Sequence, residues 1–145
     1  MAFRFTLASV LGFRESIERR EDLALAKLQL EMARVRHEID LVTEDLAAAQ
    51  RRREESMRQP IPAAELQSML RAADVAAERR KKLLESLAAL EHQRGEQMRI
   101  YQTARRARQV LSDLRTQHRD TWEQEQARAQ QKVLDDIFGS RSHRS

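Results

Sequence analysis

The side chains able to do chemistry in this 145-residue chain are few in kind and poorly placed for it. The four histidines, His37, His92, His118 and His143, follow no HExxH or other metal-ligand spacing and read as solvated side chains. Glu54-Glu55 and Asp135-Asp136 supply paired carboxylates, the material of acid–base catalysis. Neighbours on a helix, however, point about 100° apart and do not converge on a substrate. Cysteine is absent, which removes thiol nucleophiles, thiolate zinc sites and disulfides. Gly12, Gly95 and Gly139 are too scattered to form a phosphate-cradling loop. The expectation is a non-enzyme with no metal, no cofactor and no small-molecule substrate.

The basic runs are the next candidates. Arg51-Arg52-Arg53, Arg79-Arg80-Lys81-Lys82 and Arg105-Arg106-Ala107-Arg108 carry charge suited to phosphate backbones. Only Tyr101 lies near them as a stacking aromatic, and Glu54, Glu55, Glu78 and Glu85 flank two of the three. Residues 61–119 are net basic, residues 120–138 net acidic, and the whole chain stands at only +4. Interspersed charge of this size reads as solvated helical face, with no nucleic-acid partner expected. The basic side chains are mostly arginine, which pairs with carboxylates in a bidentate fork and so favours an acidic protein partner.

The elements that must position these groups are helices. Hydrophobic residues make up 41% and charged residues 34%, while aromatics are 4% and prolines number 2. So little Gly and Pro cannot furnish the turns of a sheet, whereas the Ala, Glu, Leu, Arg and Gln bias marks long helices or coiled coil. No stretch approaches the roughly 20 apolar residues that cross a bilayer. Phe5 to Phe13 could pass for a signal-peptide core but lacks a cleavage site and runs into Arg14, Glu15 and Glu18. A mature, soluble, cytoplasmic chain is expected.

Pro60-Ile61-Pro62 interrupts any helix, because proline lacks a donor and pushes the preceding residue out of the helical region. Upstream, Leu25, Leu28, Met32, Val35, Ile39, Val42, Leu46 and Ala49 alternate at spacings of three and four. Downstream, Leu66, Met69, Ala73, Ala76, Leu83, Leu87 and Leu90 do the same, broken only by Arg80. That is the 3.5-residue period of a coiled-coil seam. In an antiparallel hairpin centred on Ile61, Met32 meets Leu90, Val35 meets Leu87, Ile39 meets Leu83, and Leu11 meets Leu111. The fold class expected is therefore all-α: two long helices in an antiparallel coiled-coil hairpin, the second longer and overhanging. The expected limits are helix one over about 5–57, a turn at 58–62, helix two over about 63–137 and a flexible tail at 138–145. At ~1.5 Å per residue the helices would be roughly 80 Å and 110 Å long. Small Ala pairs near the turn would let the backbones approach closely. Around Arg14, Glu18, Glu21, Gln97 and Arg108 the seam turns polar, with Glu18 and Glu21 expected to pair with Arg105 and Arg108. Gly95 makes fraying or bending plausible there.

The chain ends carry the binding candidates. Leu7, Val10, Leu11 and Ile17 can face helix two, whereas Phe3, Phe5 and Phe13 cannot all share that stripe. Phe3 falls near Arg119 in this register, leaving Trp122, Ala129, Val133, Leu134, Ile137 and Phe138 without a helix-one partner. Apolar residues uncovered at one end, beside Asp135 and Asp136, mark a docking site. Phe3, Phe5 and Leu7 would contribute to it, with Arg105, Arg106 and Arg108 as a basic face steering an acidic partner.

These ends resemble the FliJ family of flagellar type III export proteins. The likeness lies in Phe3-Arg4-Phe5-x-Leu7-x-x-Val10-Leu11-x-x-Arg14-Glu15 and in Tyr101, Arg105, Val110-Leu111, Leu114, Glu125 and Gln131-Lys132-Val133-Leu134-Asp135-Asp136. Asp136 stands where the family usually has Glu, and the match covers nearly the whole chain. The resemblance implies an antiparallel coiled coil similar to the central stalk of rotary ATP synthases. It implies binding to the hexameric flagellar export ATPase, promotion of ring assembly, and linkage to the export gate membrane protein. It also implies recycling of export chaperones and a cytoplasmic location peripheral to the membrane. The residues alone leave other readings open: the equivalent stalk of a virulence injectisome, a basic coiled coil on nucleic acid, or a purely structural homodimeric bundle.

Overall fold

The computed structural model describes residues 2–144. It contains two helices, α1 (Ala8–Ser56, 49 residues) and α2 (Ala63–Arg144, 82 residues), and no strand among the described residues. The helices pack against each other as an all-α hairpin. The connection uses Met57 to Pro62. Met57 N–H still donates to Arg53 O at 2.9 Å, and Arg58 and Gln59 close tighter turns onto Glu55 and Ser56 at 3.3 Å. Pro62 then offers its carbonyl to the amides of Glu65 (3.1 Å) and Leu66 (3.2 Å), so a residue without a donor starts α2 where none is needed. Glu65 in the first turn of α2 and Arg53 in the last turn of α1 oppose the helix-end dipoles.

Both helix limits differ from the expected ones at the outer ends. α1 begins at Ala8 rather than about residue 5, after a turn at Thr6-Leu7 in which Ala8 N–H bonds to Phe5 O at 3.1 Å. α2 continues to Arg144, so the tail expected over 138–145 is helical through residue 144. Nothing in Gly139-Ser140-Arg141-Ser142 blocks the helix: there is no proline, and Gly139 keeps a negative φ. The Ser140 hydroxyl also donates back to Ile137 O at 2.9 Å, within the helix.

The fold forms two compact units, one built from residues up to Arg20 and from Tyr101 onward, the other from Glu21–Ile100. In the second unit the heptad seam is the core. Leu25, Met32, Val35, Ile39 and Val42 are buried, with Met32 only 2% exposed. Leu28, Leu46 and Ala49 on α1, and Leu66, Met69, Ala73, Ala76, Leu83, Leu87 and Leu90 on α2, are half-buried. Two helices hide a stripe rather than a volume, so many seam side chains keep one edge in water. The polar contacts between the helices keep the antiparallel order: Arg36 pairs with Glu91 at 3.8 Å, and Arg80 Nε donates to Thr43 Oγ1 at 2.9 Å.

That last bond explains how Arg80 occupies a seam position. Its aliphatic stem lies half-buried while the guanidinium reaches sideways to a hydroxyl at the seam edge. Nearby, the alanine stretch borders an open groove. Leu46, Ala49, Met69, Ala72 and Ala73 line a groove of about 660 Å³ open to solvent, because methyl side chains are too short to fill the space between two helices. At Gly95 the helix is unbroken, and a Cβ there would meet nothing within 4 Å.

Ile39 lies at the centre of the buried run, between Val35 and Val42. Replacing it with Asp would place an unpaired charge in the seam, at a cost on the order of 3 kcal/mol. Circular dichroism of I39D should show a lower melting midpoint and less helix, and an unchanged melt would mean that the seam does not hold the hairpin.

Candidate functional site

The unit built from the two chain ends starts with a segment that is not helical. Residues 2–5 run without regular structure into the Thr6-Leu7 turn, and Leu11 N–H then takes Leu7 O at 2.9 Å as α1 begins. The segment lies along α2. The Phe5 ring meets His118 edge-on, with centroids 5.7 Å apart and planes at 71°, and the Phe3 ring lies 6.1 Å from Trp122 at 53°. Phe5 is buried, and Phe3, Leu7 and Trp122 are half-buried.

This corrects the expected register at the end. Phe3 sits on Trp122 rather than near Arg119, because extended chain advances about 3.3 Å per residue where a helix advances about 1.5 Å. The same arithmetic explains the clasp. Phe3 and Phe5 are two extended residues apart, roughly 6.6 Å. His118 and Trp122 are four helical residues apart, roughly 6 Å. Two aromatics on one segment therefore fall on two rings of the other. Trp122 is consequently covered in part, and Phe5 holds the segment down rather than offering free surface. His118 is exposed, as read, and is also a ring partner of Phe5; the Phe-x-Phe and His-x-x-x-Trp spacings were the signal that could have found that contact.

Behind the clasp, Leu11 is buried and Leu7, Ile17 and Leu111 are half-buried. Val10, expected to face α2, is 41% exposed, since it precedes Leu11 by one residue and a helix turns it about 100° away from the buried stripe. Of Phe3, Phe5 and Phe13, it is Phe13 that is left in solvent.

Next along the unit lies its one buried-edge ion pair among the described residues. Arg108 Nε donates to Glu18 Oε2 at 2.6 Å, and Arg108 Nη2 to Glu18 Oε1 at 3.2 Å, a two-pronged contact with side chains 18% (Glu18) and 26% (Arg108) exposed. The Arg108 hydrogen bond, aided by the Arg108, Arg105 and Arg19 charges and opposed by desolvation, holds the Glu18 carboxyl below its ordinary range. The same bond pushes Arg108 up. Arg108 is thereby committed to Glu18 and is not a free steering charge, while Arg105 and Arg106 remain exposed. Glu21, in the other unit, takes Gln97 instead: Gln97 Nε2 donates to Glu21 Oε2 at 2.6 Å and to Glu21 O at 3.1 Å.

Beyond Trp122 every residue from 123 to 143 is exposed. Val133, Leu134, Ile137 and Phe138 form a solvent-facing apolar stripe, and Gln126, Ala129, Gln130, Val133 and Leu134 line a shallow groove on it. Asp135 accepts a bond from Gln131 Nε2 at 3.0 Å, and Asp136 is exposed beside it. Among the described residues no three His, Asp or Glu side chains gather as a metal site, and no helix is long and apolar enough to cross a membrane. The segment thus presents an apolar face to solvent on an otherwise polar helix.

Two measurements test this geometry. Trp122 is the only tryptophan, so its emission reports the clasp. Phe3→Ala should shift that emission to the red and raise its quenching by iodide, whereas Phe13→Ala should do neither. The Glu18–Arg108 contact gives a pH signature. With the folded pKa lowered, the contact's stabilisation is present above the ordinary carboxylate range and is lost as pH falls through the depressed value. Thermal melts from neutral pH to about pH 3 should show Glu18→Gln less stable at neutrality but losing less stability on acidification than the native chain.

Comparison with known proteins adds the family. No curated protein and no solved structure matches the chain. The family model of the flagellar FliJ protein matches residues 3–145. That range takes in the aromatic clasp, both helices and the apolar stripe. With essentially the whole sequence covered and a helical hairpin of the kind the family resemblance implied, the chain belongs to the FliJ family, a component of the flagellar export apparatus.

Proposed function

We propose that the paired chain ends bind the hexameric export ATPase, promote its ring assembly and couple it to the export gate protein at the cytoplasmic face of the membrane, with an escort role toward export chaperones. The observation that carries this reading is the Val133, Leu134, Ile137 and Phe138 stripe on a helical segment whose residues are all exposed. Apolar side chains gathered on an otherwise polar helix are the usual anchors of a helix-in-groove interface. A few such anchors commonly supply ~2 kcal/mol or more each. Asp135 and Asp136 add polar partners at the edge of the same face. Arg105 and Arg106 supply positive charge that raises the on-rate toward an acidic surface more than the affinity. A helix gripping ring subunits unequally would bias their conformations, which is a mechanism of coupling without catalysis.

The experiment uses the full chain with the purified ATPase. Replacing Val133, Leu134, Ile137 and Phe138 together with Ser leaves the Phe3–Trp122 contact and the seam untouched, so the hairpin should stay folded by circular dichroism. Ring binding and stimulation of ATP hydrolysis should fall at least about tenfold. Exchanging Pro60-Ile61-Pro62 for a neutral loop should leave both unchanged. Stimulation that survives the serine variant and fails in the loop variant would assign the ATPase contact to the connection instead.

A further inference from the structure

The second unit carries an apolar face that neither the seam nor the chain ends use. Leu23 and Leu30 are 71% and 74% exposed, on the side of α1 turned away from Leu25, Leu28 and Met32. They are seven residues apart, with Ala26 and Ala33 following each by three, all of them exposed. Leu23-x-x-Ala26-x-x-x-Leu30-x-x-Ala33 is itself a repeat alternating three and four, a second coiled-coil seam on the outer face of one helix. The alanines matter for fit. They leave room for a partner's larger side chains between the two leucine knobs.

Along one edge of this stripe run Lys27 and Arg34, also seven residues apart and exposed. Neither takes part in an ion pair or hydrogen bond among the described residues. Two residues on, Arg36 is bound to Glu91 of α2, so the chain satisfies its inner flank and leaves the outer one charged and open. We propose that this outer face docks an amphipathic helix of a partner protein whose apolar edge is bordered by carboxylates at seven-residue spacing. Its apolar side chains seat between Leu23 and Leu30 over the alanines, and its carboxylates meet Lys27 and Arg34. A second copy of this chain fits less well. An antiparallel copy sets Lys27 and Arg34 against their own counterparts. A parallel copy pairs Lys27 with Asp22 but leaves Arg34 opposite Gln29.

The test uses the full-length protein and two designed probes, each a four-heptad helical peptide with leucines on one face. One carries Glu at the flanking positions, the other Lys. By fluorescence anisotropy at physiological ionic strength, the Glu probe should bind saturably and at least about tenfold more tightly than the Lys probe. Leu23→Gln with Leu30→Gln should weaken it about tenfold or more. Lys27→Glu with Arg34→Glu should reverse the preference between the probes. Gln and Glu are good helix formers at exposed sites, so helix content should stay at the native level. The single changes Leu30→Gln and Arg34→Glu give the same contrasts at smaller perturbation. Equal affinity for both probes, no saturable binding, or binding indifferent to the leucine changes would overturn the proposal. So would sedimentation showing that the protein self-associates and that Leu23→Gln with Leu30→Gln abolishes it, since the face would then belong to a second copy.

Discussion

A helix paired with a single neighbour has one stripe to hide, and the architecture here is governed by that limit. Leu25, Met32, Val35, Ile39 and Val42 lose nearly all contact with water, while their partners on α2 keep an edge exposed. Among the described residues there is no third layer to enclose a volume. The open groove along Ala49, Ala72 and Ala73 shows the same constraint from the other side: where side chains shrink to methyls, two helices leave space that nothing fills.

A narrow hydrophobic stripe slides easily, and the polar contacts fix its register. Arg80 on Thr43, Arg36 on Glu91 and Gln97 on Glu21 each join positions that lie near one another only in one alignment. The two-pronged Glu18–Arg108 contact does the same for the unit at the chain ends, where Phe3 and Phe5 add an aromatic lock on Trp122 and His118. Such contacts contribute modestly to stability at partly exposed sites, and their larger effect is to make slipped pairings unfavourable.

What the hairpin does not cover is apolar surface in two places. Val133, Leu134, Ile137 and Phe138 follow the last aromatic contact, and Leu23 and Leu30 sit opposite the seam. Isolated exposed leucines need no explanation, but repeats at helical spacing with a defined charged border have the form of helix-binding sites.

Much of this was legible in the residues themselves. The alternation of three and four from Leu25 to Ala49 and from Leu66 to Leu90 identified the buried stripe. Pro60-Ile61-Pro62 marked the reversal, and the terminal motifs pointed to the family. Periodicity succeeds there because a helix converts spacing directly into direction. The sequence could not by itself settle how the ends close. Whether residues 2–7 extend or coil changes their reach roughly twofold, and that choice moved Phe3 from Arg119 to Trp122 and covered a residue expected to be bare. Nor could charge pattern alone divide Glu18 and Glu21 between Arg105, Arg108 and Gln97, since long polar side chains within a turn of one another are equivalent in sequence. Only the packed helices, by fixing which heads come within 3 Å, committed Arg108 to Glu18 and left Lys27 and Arg34 open on the outer face.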